Sequence, residues 1–366
     1  MRRLLVTGGA GFIGANFVHH WRRVRPADAL VVLDALTYAG NPANLAGLRG
    51  TAGFAFVHGD VCDGGLLEKL FREHHFDTVV HFAAESHVDR SIVSSAPFVR
   101  TNIVGTQALL DAALAAWKPD FDGKRFHHIS TDEVYGSLGP DDPAFTEVTP
   151  YDPRSPYAAS KAASDFLARA YVHTHRLPVT ITNCSNNYGP YQFPEKLIPL
   201  MIINALTGKT LPVYGDGSNV RDWLYVEDHC AAVARVIEHG RTGETYNVGG
   251  GAEMANIDLV TLLCAAVDAR FAKDSALGSR FGGCPAARKA SCRDLIGYVT
   301  DRPGHDRRYA ICADKLLGEF GYRSETSFTT GIDRTLDWYL ANETWWRDIQ
   351  RGAYQDWIKL NYGARA

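Results

Sequence analysis

The chain has 366 residues, 46% of them hydrophobic and 22% charged, and its formal net charge at pH 7 is −3. The length predicts about two domains, or one large domain with a lobe, and the composition is typical of a globular enzyme. The charge argues against a nucleic-acid partner, and the lack of any run of about 18 apolar residues argues against a membrane-spanning helix. The glycine-rich stretch that follows Thr7 interrupts the first apolar run, so we expect no signal peptide.

The cysteines are scattered along the chain, and none of them follows a CxxC spacing. This distribution favours reduced thiols and a cytoplasmic location, and it predicts neither a disulfide framework nor a metal site. The seven cysteines are Cys62, Cys184, Cys230, Cys264, Cys284, Cys292 and Cys312.

Strands alternate with helices over the first half of the chain. Apolar runs predict strands, and stretches with a 3.6-residue period predict helices between or after them. This alternation, without Pro or Gly inside the strands, predicts an α/β fold with a doubly wound parallel (Rossmann) sheet. The predicted strands are 4–6, 30–34, 54–60, 78–82, 126–130 and 179–184, and the predicted helices are 12–24, 66–73, 97–116 and 156–174.

After about residue 185 the alternation loosens, and Pro, Gly and aromatic residues become more frequent. We expect residues 1–185 to form a dinucleotide-binding domain and residues 186–366 to form mainly a smaller C-terminal substrate-binding lobe. The lobe would lie over the carboxyl ends of the strands, where such sheets bind ligands. Helix 227–238 and the apolar strand before it are expected to return to the first domain, as a segment near 220–240.

A glycine fingerprint follows the first predicted strand. Gly8, Gly11 and Gly14 have the spacing G-x-x-G-x-x-G and open the first helix, which suits a diphosphate placed on bare backbone at a helix N-terminus. Asp34 ends the second strand, twenty residues after Gly14, where a carboxylate accepts from ribose hydroxyls and repels a 2′-phosphate. The pattern predicts NAD rather than NADP; the alternative is a glycine-rich turn with a capping Asp.

Two further strand ends are candidate cofactor contacts. Asp60-Val61 would reach the adenine, although Asp60 as a helix cap is an equal alternative. Small residues follow Phe82, which suits a cofactor lying close to the backbone at Ala83 and Ala84. Tight helix–sheet packing is the alternative there.

Tyr157 and Lys161 lie one turn apart in helix 156–174 and therefore share a face. An ammonium beside a phenol lowers the pKa of the phenol toward that of a working base. An ordinary surface pair has the same spacing, but the dinucleotide fingerprint favours the catalytic interpretation. Lys161 would also bind the nicotinamide ribose.

Thr131, Asp132 and Glu133 follow the predicted strand 126–130. A helix N-cap is an alternative role for Asp132. Hydride transfer and deprotonation at one carbon need only the Tyr and the Lys, so two further carboxyls indicate a second proton-transfer event. Two adjacent carboxyls in different environments can act as one acid and one base.

Over residues 7–362 the chain resembles the dTDP-glucose 4,6-dehydratases of the extended short-chain dehydrogenase/reductase superfamily. The resemblance implies that Tyr157 deprotonates the C4 hydroxyl of the sugar, near Thr131, while NAD takes the C4 hydride. Glu133 would then remove the C5 proton, Asp132 would protonate the departing C6 hydroxyl, and hydride would return to C6. The matching stretches are 7–14, 36–41, 83–91, 101–106, 126–136, 155–161, 183–200, 221–228 and 301–309.

The motifs and the resemblance together give two sets of binding residues. The NAD set is Gly8, Gly11, Phe12, Ile13, Gly14, Asp34, Leu36, Thr37, Asp60, Val61, Phe82, Ala83, Ala84, Ser86, Thr101, Tyr157, Lys161 and Asn187. The set for the substrate, dTDP-glucose, is Ser86, Thr131, Asn186, Lys196, Leu197, Pro212, Tyr214, Arg221, Asn256, Asp301 and His305. Arg221 and the run 301–305 would face the diphosphate and the nucleotide.

The chain departs from the family pattern over residues 272–295, which we interpret as a surface insertion. Other enzymes with the same fold remain alternatives, namely a UDP-sugar 4-epimerase, a decarboxylase or a UDP-sugar 4,6-dehydratase, as does a non-catalytic NAD-binding protein. The Asp132-Glu133 pair disfavours an epimerase, which needs neither a C5 base nor a C6 acid. The family also implies a homodimer, with helices 97–116 and 156–174 at the interface.

Overall fold

A computed structural model describes residues 1–301 and 305–351. In it, seven parallel strands form the central sheet in the order β10-β6-β5-β4-β1-β2-β3, which confirms the predicted Rossmann fold. The strands are β1 (Arg3–Thr7), β2 (Ala29–Asp34), β3 (Phe54–His58), β4 (Thr78–His81), β5 (Arg125–Thr131), β6 (Val179–Cys184), β7 (Asn186–Tyr188), β8 (Leu211–Tyr214), β9 (Val220–Tyr225), β10 (Thr245–Val248), β11 (Glu253–Ala255) and β12 (Ile296–Val299).

Helices cover both faces of the central sheet and form the lobe. Among the described residues, none of the helices combines the length and the apolarity needed to cross a membrane. The α-helices are α1 (Phe12–Val24), α2 (Gly64–His74), α3 (Val88–Val93), α4 (Ala96–Phe98), α5 (Thr106–Trp117), α6 (Pro156–His175), α7 (Leu197–Thr207), α8 (Val226–His239), α9 (Asn256–Lys273), α10 (Ala276–Arg280), α11 (Asp314–Phe320), α12 (Phe328–Ala341) and α13 (Glu343–Arg351).

The central sheet is buried on both faces, as parallel sheets are. Leu4 and Val6 of β1 pack with α1 and α8, whereas Leu5 points to the other face, where α2, α5 and α6 pack. Helix α8 therefore packs on the central sheet beside α1. The strand before it does not return, because β9 pairs with β7 and β11 in a separate sheet. Strand β10, which the sequence did not predict, forms the edge of the central sheet instead.

The predicted helix 97–116 consists of three consecutive helical pieces. A π-helical turn, Val99–Gly105, joins α4 to α5. Asn102 within this turn is buried, and its amide accepts from the Glu85 backbone N–H at 2.9 Å and donates to Ser160 Oγ at 2.8 Å. The π turn thereby ties the loop after β4 to helix α6, which is consistent with the frequent occurrence of such turns at functional sites.

A second hydrophobic core lies in the lobe, around α7, α9 and α12. Residues 272–295 are part of it, so their interpretation as a surface insertion is wrong. Leu277, Phe281, Cys284 and Cys292 are all buried there, with the two sulfurs 3.6 Å apart. The segment is rich in Ala, Gly and Arg, and this composition concealed its few buried apolar residues.

Candidate active site

A cleft of about 330 Å³ opens at the carboxyl ends of the central strands, within the size range of ligand pockets. It lies where the strand order reverses, between β1 and β4, as expected for a doubly wound sheet. Residues after β1, β2, β3, β4, β5 and β6 line the cleft, together with residues of α6 and of the loop before α7.

The loop after β1 has no space for side chains at two of its glycines. Gly8 has a φ of +69°, and a Cβ built on it would lie 2.5 Å from the backbone nitrogen of Ala83. A Cβ on Gly14 would lie 2.2 Å from the carbonyl oxygen of Gly8. Gly11 is the N-cap of α1 and supplies no side-chain cap, so the helix N-terminus faces the cleft with amide donors suited to a diphosphate.

Asp34 and Asp60 both line the cleft, and each is fixed by backbone contacts. The carboxylate of Asp34 accepts from the amides of Ala10 and Leu36, each at 2.8 Å, while burial raises its pKa. Asp60 accepts from the Cys62 amide at 2.8 Å. The helix-cap alternative for Asp60 is wrong, because Asp63 caps α2.

Thr131 ends β5 and caps the 3-10 helix Asp132–Tyr135 by accepting from the Glu133 amide at 3.3 Å. The helix-cap alternative for Asp132 is therefore wrong. Asp132 is 2% exposed; its Oδ1 accepts from Thr131 Oγ1 at 3.4 Å, and its Oδ2 is buried with no hydrogen-bond partner. A carboxyl oxygen in this position is suited to hold a proton for a ligand in the cleft.

The pKa of Asp132 is raised well above its ordinary value. Burial is the largest cause, and the negative charges of Glu133 and Asp222 add to it, while Arg221 opposes them. Burial thus favours the protonated form of Asp132, next to a second carboxyl, Glu133, that lines the same cleft. The assignment of one acid and one base to this pair stays a prediction.

Tyr157 and Lys161 lie on α6, where they line the cleft opposite the end of β5. Lys161 Nζ donates to the Ile129 carbonyl at 2.7 Å. The pKa of Tyr157 is raised, first by burial and then by the charge of Glu133. Burial and neighbouring negative charge thus set the direction of the shift in the protein alone, and the lowering of this pKa by Lys161 stays a prediction.

Asn186 and Asn187, on the short strand β7, also line the cleft. The Asn187 amide oxygen lies 2.9 Å from Nδ1 of His229, and its amide nitrogen donates to the Ser185 carbonyl at 3.0 Å. The pKa of His229 falls to about 3 because the ring is buried, so the imidazole is neutral and donates to Asn187. Asn186 Oδ1 is buried without a partner, which leaves an acceptor for a ligand.

A clamp across the cleft was not predicted. It consists of Arg90, Glu195, Tyr38 and Lys196. Arg90 lies 3.8 Å above the ring of Tyr38 and 3.3 Å from Glu195 Oε2, and Lys196 Nζ donates to the Ser86 carbonyl at 3.2 Å. These contacts join the loops after β2 and β4 to the loop before α7. The only signal in the sequence was the charge pair Glu195-Lys196 in a stretch that otherwise reads as a surface loop.

A second group of predicted residues lies in the lobe. Tyr214 on β8 packs edge-on against His305 at 6.2 Å, and His305 Nδ1 lies 2.6 Å from Asp301 Oδ1. Arg221 on β9 stacks on Tyr309 at 4.4 Å and donates to the Asp306 carbonyl at 3.0 Å. Residues 302–304 of the predicted run lie outside the described residues.

The cleft brings together the five predicted catalytic residues and every predicted NAD residue except Leu36. Of the predicted substrate residues, Ser86, Thr131, Asn186 and Lys196 line it. Those that do not are Leu197, which begins α7, Pro212 and Tyr214 on β8, Arg221, Asn256 at the start of α9, Asp301 and His305. Cleft residues that the sequence did not single out include Cys184, Ser185, Gln192, Phe193 and Glu195.

Comparisons with known proteins agree with this geometry. A family model described as GDP-mannose 4,6 dehydratase matches residues 5–335. The chain is 55% identical over 359 residues to a dTDP-glucose 4,6-dehydratase of Xanthomonas campestris pv. campestris (strain B100), covering 97% of this chain and 98% of that protein. Two solved dTDP-glucose 4,6-dehydratases superpose with a TM-score of 0.82. One, from Streptomyces venezuelae with NAD and TDP bound, is 48% identical and covers 95% of this chain and 99% of that one. The other, from Bacillus anthracis in complex with NAD, is 44% identical and covers 95% and 100%.

Proposed function

The chain belongs to the dTDP-glucose 4,6-dehydratase family, and from that membership we propose that it converts dTDP-glucose to dTDP-4-keto-6-deoxyglucose, with NAD held in the cleft. It is accordingly a hydro-lyase. The observation that carries the proposal is the buried carboxyl of Asp132, with a raised pKa, beside Glu133 in the cleft that also contains Tyr157 and Lys161. A dehydrogenase needs only the last two residues, whereas elimination of water needs an acid and a base as well.

The residues around the glycine loop fit NAD. The N-terminus of α1 presents backbone donors to a diphosphate, and Asp34 lies at the end of β2 in position for ribose hydroxyls. Lys161 and Asn187 would hold the nicotinamide end. Bound NAD would supply a reversible oxidation at C4, which makes the C5 proton acidic. The oxidised cofactor would be regenerated within one turnover.

The catalytic side chains then divide the proton transfers among them. Tyr157 would act as a phenolate, with its charge stabilised by Lys161, and accept the proton of the C4 hydroxyl, while Thr131 hydrogen-bonds the C4 oxygen. Glu133 takes the C5 proton, which the neighbouring ketone has made acidic. Asp132 donates its proton to the C6 hydroxyl as water leaves, and Glu133 returns a proton to C5 when hydride returns from the reduced cofactor to C6.

The nucleotide half of the substrate would extend toward the lobe. Arg221 is 5% exposed and offers a guanidinium suited to bidentate phosphate contacts. Asn256 Oδ1 is buried without a partner, so it is an acceptor available to a ligand. Tyr214 and His305 would flank the base from β8 and from the segment after β12.

An assay with purified protein and dTDP-glucose tests the proposal. We expect an alkali-induced absorbance of a 4-keto sugar and a product lighter than the substrate by one water. UDP-glucose, run in parallel, should be converted more slowly. No product from dTDP-glucose, combined with conversion of a UDP-sugar, would assign the protein to one of the alternative nucleotide-sugar activities.

We also propose a homodimer and a cytoplasmic location. Large apolar side chains are exposed on the surface formed by α3, the π turn and α6, including Val93 (71% exposed), Val104 (45%) and Phe166 (55%). Burying such a patch between two copies supports dimerisation. Light scattering after size exclusion should give a dimer, and Phe166→Glu should shift it to monomer; a monomeric wild type would contradict the proposal.

The proposed cytoplasmic location rests on the cysteines. The free state of all seven cysteines supports a reducing compartment.

A further inference from the structure

Asp165 lies at the centre of a buried hydrogen-bond network behind the catalytic residues. Its carboxylate is fully buried on α6, one turn after Lys161. Asp165 Oδ2 accepts from Ser130 Oγ at 2.8 Å and from the Tyr151 hydroxyl at 2.9 Å. Asp165 Oδ1 lies 3.1 Å from Nε2 of His128. None of the proton transfers described above uses this carboxylate.

The network joins the two halves of the active site. Ser130 directly precedes Thr131 and Asp132 on β5, so its bond to Asp165 holds the strand end that carries the acid. Lys161 precedes Asp165 by four residues, and side chains at this spacing share a helix face. One buried carboxylate thereby contacts the strand that leads to the elimination residues and shares a helix face with Lys161, whose pKa its charge raises.

Among the described residues, Asp165 makes the largest favourable charge contribution to Lys161. On β4 and β5, His81 and His128 are buried, and their pKa values are lowered, so both rings are neutral. On β6, burial raises the pKa of Cys184 to about 12, so this thiol is also neutral near pH 7. Tyr157, on the same helix as Lys161, keeps its proton for the same reason.

The groups that face Asp165 are hydrogen-bond donors and uncharged side chains. Tyr151 and Tyr135 are buried, and their pKa values are raised, so they donate hydrogen bonds and carry no charge. Arg169, one turn further along α6, is half-buried and donates to the Tyr151 hydroxyl at 2.9 Å. His128 is neutral, as described above. Burial lowers the pKa of Lys161, and the charge of Asp165 raises it again.

We propose that Asp165 is a positioning residue of the reaction, which holds Lys161 as an ammonium and fixes the strand end that carries Thr131 and Asp132. This inference rests on the proposed function for its catalytic meaning. Its electrostatic part concerns the protein alone and can be tested without substrate. Lys161 in its charged form is what the nicotinamide ribose and the Tyr157 phenolate require.

Competitive acetylation of lysines across a pH series, read by peptide mass spectrometry, tests the electrostatic part. Only the free amine reacts, so the labelling midpoint of Lys161 reports its pKa. Asp165→Asn keeps the size and most hydrogen bonds but removes the charge, so we expect the midpoint to fall by about 1 to 3 pH units. Asp165→Glu should restore it, and Tyr151→Phe, which removes one hydrogen bond and leaves the charge, should leave the midpoint in place.

The pH profile of the first half-reaction, the oxidation at C4, tests the catalytic part of the proposal. With dTDP-glucose, the alkaline limit for the appearance of reduced nicotinamide should move to lower pH in Asp165→Asn by the same amount as the labelling midpoint. An unchanged Lys161 midpoint in a cooperatively folded Asp165→Asn protein would overturn the inference. Equal shifts of this midpoint in Asp165→Asn and Asp165→Glu would also overturn it. If the wild type does not turn over dTDP-glucose, the proposed function fails, but the labelling result still decides the role of Asp165.

Discussion

The substitution Asp132→Asn separates the acid of the elimination from every other feature of the site. Asparagine has the size of a neutral carboxylic acid, and the neutral acid is the form that burial and the charges of Glu133 and Asp222 favour at this position. The variant should therefore fold and bind NAD as the wild type does. It lacks only the proton that the C6 hydroxyl needs in order to leave as water.

The structure gives both the size and the sign of the effect. Positioned general acids contribute about 10²- to 10⁴-fold to rates, so turnover should fall by that factor, or by about 3–5 kcal/mol of activation free energy. Because the native pKa of Asp132 lies above its ordinary value of 3.8, the contribution of this group to the free energy of unfolding is greatest at low pH. That contribution is lost as the pH rises through the native pKa. Asp132→Asn lacks this loss, so its stability relative to the wild type should improve as the pH rises.

Two measurements check this reasoning. Single-turnover absorbance should show reduced nicotinamide accumulating in Asp132→Asn, because the C4 oxidation is intact and the elimination is slow. Thermal unfolding at several pH values should show the variant at least as stable as the wild type above neutrality. Turnover within about threefold of the wild type would refute the assignment of Asp132 as the acid, since general-acid catalysis would then be absent. A destabilised variant would refute its neutral state.

Three other substitutions test the base, the redox pair and the cofactor loop. Glu133→Gln should let reduced nicotinamide accumulate and abolish product, whereas Tyr157→Phe should prevent its appearance; full turnover by Glu133→Gln would show that another group removes the C5 proton. Gly14→Ala places a methyl group 2.2 Å from the Gly8 carbonyl oxygen, so the loop must shift at a cost of about 1–3 kcal/mol. We expect at least tenfold weaker NAD binding by calorimetry with a similar unfolding profile, and unchanged affinity would show that the loop does not contact the diphosphate.

Much of the site was predictable because its motifs are local. The spacing of Tyr157 and Lys161 requires only that residues 156–174 form a helix, and the glycine fingerprint requires only one strand–turn–helix unit. Asp132 and Glu133 were found because they directly follow a strand whose carboxyl end must reach the cleft. The clamp between Arg90 and Glu195 was not predictable, because its members are 105 residues apart and each, taken alone, resembles a surface charge.

The sequence by itself determined the alternation of strands and helices in the first half of the chain and the cofactor loop. These depend on periodicity and spacing, which are properties of neighbouring residues, whereas the family resemblance implied which of Asp132 and Glu133 is the acid and which the base. Tertiary structure alone decided that burial raises the pKa values of Asp132 and Tyr157, that Leu277, Phe281, Cys284 and Cys292 belong to a core, and that Thr245–Val248 completes the central sheet. Burial and the electric field at a side chain come from segments distant in the chain, and no local pattern encodes them.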